Sequence, residues 1–356
     1  MSERAYLRPT GFVDAPFGHD GKVARLAGGL IWFSAVELLR VEGVRLAAEL
    51  VPVERIEERL DEPGRRAWER IIAPRPALTL GERVIRLDQP QVMGIVNVTP
   101  DSFSDAGAHA DPAVAIRAGH DMAAAGAALI DVGGESTRPG SKPVWEQDEI
   151  ARVEPVVRQL AASGTAVSID TRKAAVMEAA LAAGAGLVND VSALTFDERS
   201  AAVIARADRP VVLMHHQGQP ETMQEAPRYE RPVLVEVYDW LEARIKAAVA
   251  AGIDRSRILV DPGIGFGKTV QHNLQLMNGL ALLHGLGCPI LLGASRKRMI
   301  GALCGEAPAD KRLPGSLALA LKGAEQGAQL LRVHDVPETV QALKVWRGLR
   351  DAALAP

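Results

Sequence analysis

Residues 166–190 read AVSIDTRKAAVMEAALAAGAGLVND. Ala166–Ile169 is a short apolar run that ends at Asp170. Arg172–Gly184 is an alanine-rich, amphipathic stretch that stops on a glycine. Gly186–Val188 is a second apolar run, closed by Asn189 and Asp190. A strand, a helix and a strand in so short a span predict one βαβ unit with parallel strands.

The same alternation extends both ways from this unit. Apolar runs fall at Val92–Val96, Ala128–Val132, Ala166–Ile169, Gly186–Val188, Pro210–Met214, Ile258–Val260, Pro289–Leu292 and Gln329–Val333. Each is short and apolar throughout, as parallel strands buried on both faces are. Pro112–Gly126, Trp145–Ser163 and Pro232–Gly252 read as helices between them. Gly126, Gly164, Gly184 and Gly252 serve as stop signals. Eight βα units predict a (β/α)8 TIM barrel over residues 89–356. An open doubly wound sheet is the alternative, disfavoured because no G-x-G-x-x-G follows an early strand.

Residues 1–88 read as a mainly helical extension. Ser34-Ala35-Val36-Glu37 has the form of a capping box opening a helix to about Leu50. A second helix is expected over Val53–Leu60, broken by Asp61-Glu62-Pro63-Gly64. Leu78–Leu87, with Gly81-Glu82 at its centre, predicts a hairpin capping the barrel bottom. The extension is expected to pack on the barrel away from the catalytic mouth.

Composition bounds the function. The chain has 356 residues, 47% hydrophobic and 24% charged, which excludes wholesale disorder. Its 41 basic and 44 acidic residues give a net charge of −3, so no global field favours nucleic acid. Cys288 and Cys304 make no disulfide framework and suit a reducing compartment. No apolar run reaches about 18 residues, and the polar start Met1-Ser2-Glu3-Arg4 has no signal-peptide core. A cytoplasmic protein with no membrane span is expected.

Polar residues gather just after the strand ends, where barrel enzymes keep their chemistry. Asn97 opens a long loop, Asn97–Asp111, which reads equally as plain turn chemistry or as a lid over a site. Gly133–Gly140 (GGESTRPG) sets paired glycines beside Thr137 and Arg138, an anion-binding pattern or a solvated Gly/Pro loop. Asp170, Asn189 and Asp261 each end an apolar strand, where an unpaired polar group is costly. Together they suit a flat heterocycle with amino and ring N–H groups. Two carboxylates also admit a metal, but no His or Cys shares their spacing.

Asp261–Thr269 (DPGIGFGKT) mimics a phosphate loop, yet the G-x-x-x-x-G-K-[ST] spacing fails. Phe266 is placed to stack on a ring. Ser295-Arg296-Lys297-Arg298 opens a helix with three cations, and Arg332 and His334 follow the eighth run. That set predicts an anion site, the plain alternative being a solvated basic helix start. His215-His216, an adjacent pair on a loop, is not read as a metal site.

MGIVNVTPDSFSD, DVGGESTRPG, SIDTRK, NDVSAL, DPGIGFGKT, GASRK and RVHDV occur in this order. Over residues 91–350 the chain resembles the dihydropteroate synthases of folate biosynthesis. The resemblance implies a transferase that condenses 6-hydroxymethyl-7,8-dihydropterin pyrophosphate with p-aminobenzoate, releasing pyrophosphate, on a homodimeric barrel. It implies a pterin site of Asp170, Asn189, Met214, Asp261, Phe266 and Lys297. It implies that Thr137, Arg138, Pro139, Ser295, Arg296, Arg332 and His334 hold pyrophosphate and p-aminobenzoate. Mg would be bound at Asn97, and Asp170, Lys297, Asp101 and Arg138 would be catalytic. Two departures stand out. Arg298 follows Ser-Arg-Lys where many members have Ser, and Met214-His215-His216-Gln217-Gly218 replaces the frequent Met-His-Met-Gln-Gly. A pterin-binding methyltransferase is the second enzyme reading, though it needs no pyrophosphate site. A non-catalytic pterin-binding barrel is the third.

Overall fold

The computed structural model describes residues 4–43, 45–99, 112–136, 143–218 and 222–354. Strands β1 (Tyr6–Val13), β2 (Ala24–Arg25), β3 (Trp32–Glu42) and β4 (Arg45–Pro52) come first. All three others pair antiparallel to β3, which is central. The expected helix from Ser34 to Leu50 is therefore a hairpin, and the extension is mainly strand. The supposed capping pair explains the correction. Ser34 Oγ donates 3.0 Å to the Gly11 carbonyl, and Glu37 pairs with Arg8, both across the sheet to β1. Phe33, Val36, Leu38 and Leu39 are buried instead of forming one helical stripe.

The expected helix over Val53–Leu60 is two short 3-10 turns. The expected break at Asp61–Gly64 is a helix start. Asp61 accepts from the Gly64 amide at 2.9 Å and Pro63 sits in the first turn of α1 (Glu62–Ile72). Trp68 of α1 meets Phe33 edge-on at 5.8 Å.

The hairpin of β5 (Leu78–Leu80) and β6 (Arg83–Ile85) forms as expected. Leu78, Leu80, Ile85 and Leu87 join Met93, Leu129, Leu187, Leu259 and Leu330, from the first turns of barrel strands, in one cluster. That cluster is the barrel's floor.

The barrel alternates strands and helices in chain order. They are β7 (Gln91–Asn97), α2 (Pro112–Ala124), β8 (Leu129–Gly133), α3 (Glu146–Ala162), β9 (Val167–Asp170), α4 (Ala174–Ala182), β10 (Leu187–Asp190), α5 (Ser200–Ala207), β11 (Val211–Met214), α6 (Val233–Ala250), β12 (Ile258–Asp261), α7 (Val270–Asn278), β13 (Leu291–Leu292), α8 (Arg298–Leu303), α9 (Leu313–Glu325), β14 (Leu330–Val333) and α10 (Val336–Leu354). The strands form an eight-stranded parallel sheet in the order β12-β11-β10-β9-β8-β7-β14-β13. A parallel bridge from Val260 to Ile290 joins its two ends. Every expected strand lies within a residue or two of its apolar run. No helix of the described residues is long and apolar enough to cross a membrane.

The extension packs on the outside of this barrel. Tyr6 donates to Asp239 of α6 at 2.9 Å and its ring meets Tyr238 edge-on at 5.5 Å. Arg75 donates to the His284 carbonyl, just before β13, and Arg350 near the end of α10 donates to the Leu30 carbonyl. Extension and barrel share one apolar core.

Candidate active site

Parallel strands deliver their last residues to one mouth, and the polar ends of these strands meet there. Arg332 of β14 is the hub. Its Nε donates to Asp131 of β8 at 2.5 Å and its Nη2 to Asp170 of β9 at 2.6 Å. Asn189 of β10 donates to the same Asp131 oxygen at 3.0 Å. The other oxygen of Asp131, also buried, has no partner among the described residues. Burial pushes the Asp170 carboxyl up, to about 7. Arg332 pulls it down, while Asp131, Glu149 and Asp190 push with burial.

Asn97 ends β7 beside this cluster. A side chain on Gly133 would come within 3.6 Å of Asn97 Oδ1 and 3.5 Å of Asp170 Cβ, so the bare backbone keeps a gap between the two. Asp190, next to Asn189, has turned to another task. It accepts from the Ser192 amide and hydroxyl and from the Leu194 amide, and so organises its own loop.

On the far side, Met214 ends β11 opposite Asp261, which ends β12. Asp261 is 4% exposed and accepts from the Gly263 amide at 2.7 Å. Burial pushes its carboxyl up, to about 6, against that amide and the charges of Lys297, Arg332 and Lys268. The loop after it needs its glycines. At Gly263, φ is +65° and a Cβ would lie 1.8 Å from the His215 carbonyl oxygen. Lys297 Nζ lies 4.1 Å from the centre of the Phe266 ring, a cation–π contact at the edge of the mouth.

Ser295 and His334 meet at 3.0 Å and lie next to Lys297 and Arg332 in the chain. Arg296 takes a left-handed backbone (φ 56°) and turns its guanidinium to Asp335 in a two-pronged ion pair. Its charge is thereby committed away from a free anion site. Arg298 is exposed at the start of α8. The expected site residues Asp101, Thr137, Arg138 and Pro139 lie outside the described residues.

Three features escape a reading confined to strand ends. Asp131 lies inside the apolar run Ala128–Val132 and is fully buried. Lys268, read as part of a phosphate-loop mimic, folds inward and donates to His215 Nδ1 at 2.9 Å and to the Phe266 carbonyl at 3.0 Å. Beneath the mouth, Lys173 bonds Glu135 at 3.0 Å, Glu149 at 2.6 Å and the Val144 carbonyl at 2.7 Å, while Arg172 bonds Glu135 at 3.1 Å. This buried network ties the residues after β8 and β9 to α3. For Asp131 the available signal is a carboxylate inside an apolar run; Lys268 and the Lys173 network stand in polar or glycine-rich stretches that carry no such signal.

Among the described residues no group of three His, Cys, Asp or Glu is arranged to hold a metal. Asn97 offers one hard, neutral oxygen. That fits a Mg ion whose remaining ligands come from a phosphate-bearing substrate, not a protein cage. The mouth thus offers carboxylate and amide groups for a polar ring and cations for an anion, with the Phe266 ring against Lys297.

The pterin binding enzyme family model matches residues 93–334. A dihydropteroate synthase of Neisseria meningitidis serogroup B is 48% identical over 275 residues, 76% of this chain and 96% of that protein. The solved Xanthomonas albilineans dihydropteroate synthase with 4-aminobenzoic acid is 48% identical and covers 78% of this chain and 98% of its own, with a TM-score of 0.73. The same organism's enzyme in complex with 7,8-dihydropteroate aligns with a TM-score of 0.70 at 46% identity, over 77% of this chain and 99% of that one. The chain belongs to the pterin binding enzyme family, on its dihydropteroate synthase branch.

Proposed function

We propose that the chain condenses 6-hydroxymethyl-7,8-dihydropterin pyrophosphate with p-aminobenzoate, giving 7,8-dihydropteroate and pyrophosphate. The observation that carries this reading is a mouth that gathers both kinds of group. Asp170, Asn189 and Asp261 supply carboxylates and an amide, while Arg332 bonded to Asp170, Lys297 over the Phe266 ring and His334 beside Ser295 supply the cationic and donor set. A pterin presents amino and ring N–H groups to the first set, with Met214 and Phe266 against its faces. Its pyrophosphate meets the second set, with Ser295.

The chemistry follows from charge. The methylene C–O bond breaks and its electron pair leaves with pyrophosphate, whose growing charge Arg332 and His334 stabilise. The electron-poor methylene is conjugated with the pterin ring, and the Asp170 carboxylate favours that positive charge. The amine nitrogen of p-aminobenzoate forms the new C–N bond and loses a proton. No protein nucleophile is required. Mg held at Asn97 would supply further neutralisation of the leaving pyrophosphate. Asp101 and the residues Thr137, Arg138 and Pro139 are proposed to complete the p-aminobenzoate side and exclude water. A methyltransferase has no use for the cationic groups, which favours the synthase reading.

A homodimer and a cytoplasmic setting belong to the same proposal. Val345 and Leu349, one turn apart on α10, are 62% and 70% exposed and offer an apolar contact. Cys288 and Cys304 are both free thiols, which suits a reducing compartment. Metal dependence tests the site. Turnover is expected to vanish in excess chelator and return with Mg, and Asn97→Ala is expected to weaken turnover while leaving the binding of a bare pterin intact. Undiminished turnover in chelator contradicts the assignment of Asn97.

A further inference from the structure

Lys268 is 3% exposed, yet among the described residues its hydrogen-bond partners include no carboxylate. Its ammonium donates to the His215 ring at 2.9 Å, to the Phe266 carbonyl at 3.0 Å and to the His215 carbonyl at 3.4 Å. These partners come from two places: the exit of β11 and the loop after β12. Burying a cation on neutral acceptors alone is costly, so the position demands a reason.

The surroundings supply one. The loop from Asp261 to Lys268 carries both the buried carboxylate and the ring that meets Lys297. It is pressed onto the exit of β11 so closely that Gly263 has no room for a side chain against the His215 carbonyl, nor Gly267 against the Gln217 carbonyl. Lys268 is the charged tie across that seam, beside the neutral bonds from the Tyr229 hydroxyl to the Gly267 carbonyl and from the Gln224 amide to the Gly265 carbonyl. We propose that Lys268 is a positioning residue of the synthase reaction, tying the loop that carries Asp261 and Phe266 to the exit of β11 through its bonds to the Phe266 carbonyl and to His215. The proposal rests on the pterin-pocket reading above and adds a residue that touches no substrate.

Among the described residues the charged and titratable groups facing this seam are few. They are His215 and His216 after β11, Tyr229 before α6, whose hydroxyl donates to the Gly267 carbonyl at 2.9 Å, Asp261 on β12, His272 on α7, Lys297 before α8 and Arg332 on β14. Burial, with Lys268 second, holds His215 well below its ordinary range, so the ring is a neutral acceptor. Burial pushes Lys268 down, to about 7, and Asp261 opposes that fall. Lys268 reciprocally lowers Asp261, which burial pushes up to about 6.

The test is calorimetric binding of 6-hydroxymethyl-7,8-dihydropterin between pH 5 and pH 7.5. The parent loses affinity as Asp261 is protonated below about pH 6. In Lys268→Met the loss is expected to begin about one pH unit higher, leaving the affinity at pH 6 roughly fivefold below the parent's. Lys268→Arg keeps the charge and the burial, so it also guards against a Met variant that does not fold. It is expected to keep the parent's pH limb and to bind about threefold more weakly throughout, because a guanidinium cannot reproduce the three bonds from one nitrogen. Parent-like affinity and pH limb in Lys268→Met, or an unmoved limb with uniformly weaker binding, overturns the proposal. Asp261→Asn separates the two levels. Unchanged affinity there removes the pocket reading itself, whereas a weak Asp261→Asn that keeps only the slope due to Asp170, beside an unmoved Lys268→Met limb, removes only the role of Lys268.

Discussion

The barrel and the extension use similar residues and respond to opposite rules. In the barrel each apolar run, polar terminus and stop glycine points to the same element, and the structure follows run by run. In residues 32–52 the local signals conflict. Ser34 and Glu37 have the spacing of a helix cap, while Trp32, Phe33, Val36 and Val41 favour a strand. Partners far along the chain decide the outcome: Gly11 takes the Ser34 hydroxyl and Arg8 takes Glu37. A capping box and a cross-strand bond use the same side chains. The difference lies in whether a neighbouring strand offers partners, which local spacing does not encode.

The two regions also divide labour, and substitutions can break that division. The largest effect is expected at the hub of the mouth. Arg332→Met leaves Asp131 and Asp170 buried without their cation. Removing one partner of such a set costs about 3–5 kcal/mol, and the anion end of the site goes with it. Denaturant unfolding and turnover are both expected to collapse. Loss of turnover with unchanged stability would make the ion pairs dispensable to the fold.

Phe33→Ala probes the extension. Phe33 is fully buried against Trp68. Emptying such a site costs about 3–5 kcal/mol, while the KM for p-aminobenzoate is expected to stay within about twofold of the parent, since the ring contributes to no mouth contact described above. A raised KM at unchanged stability would join the extension to the active site. Deleting residues 1–75 is expected to act in the same direction, lowering stability or solubility more than substrate affinity.

Asp261→Asn gives the smallest of these effects. A hydrogen bond to a charged group is worth about 1.5–3 kcal/mol, so pterin affinity should fall roughly tenfold to a hundredfold. The sign of the pH dependence follows from burial. It raises Asp261 to about 6, and ligand N–H groups need the carboxylate. Affinity in the parent is therefore present above that pH and lost as pH falls through it. The variant lacks this limb, leaving only the slope due to Asp170. Calorimetry across pH 5–7.5 checks both.

Much of the site was legible because strand ends in a parallel barrel converge by topology. Asp170, Asn189 and Asp261 needed only their positions after apolar runs, and Arg332 its place at the end of one. Asp131 was missed because it sits within its run, pointing into the barrel from the middle of β8. Lys268 was missed because its motif suggested a phosphate, while its partner His215 comes from a different strand. Arg296 was read as an anion ligand from its place at a helix start. The structure spends its charge on Asp335, a neighbour across two loops that only the folded chain supplies.

The most direct test is pyrophosphate release from 6-hydroxymethyl-7,8-dihydropterin pyrophosphate, followed with and without p-aminobenzoate. The account predicts Mg-dependent release that requires p-aminobenzoate and yields 7,8-dihydropteroate in equal amount. Release at the same rate without p-aminobenzoate, or pterin binding with no release at all, contradicts it.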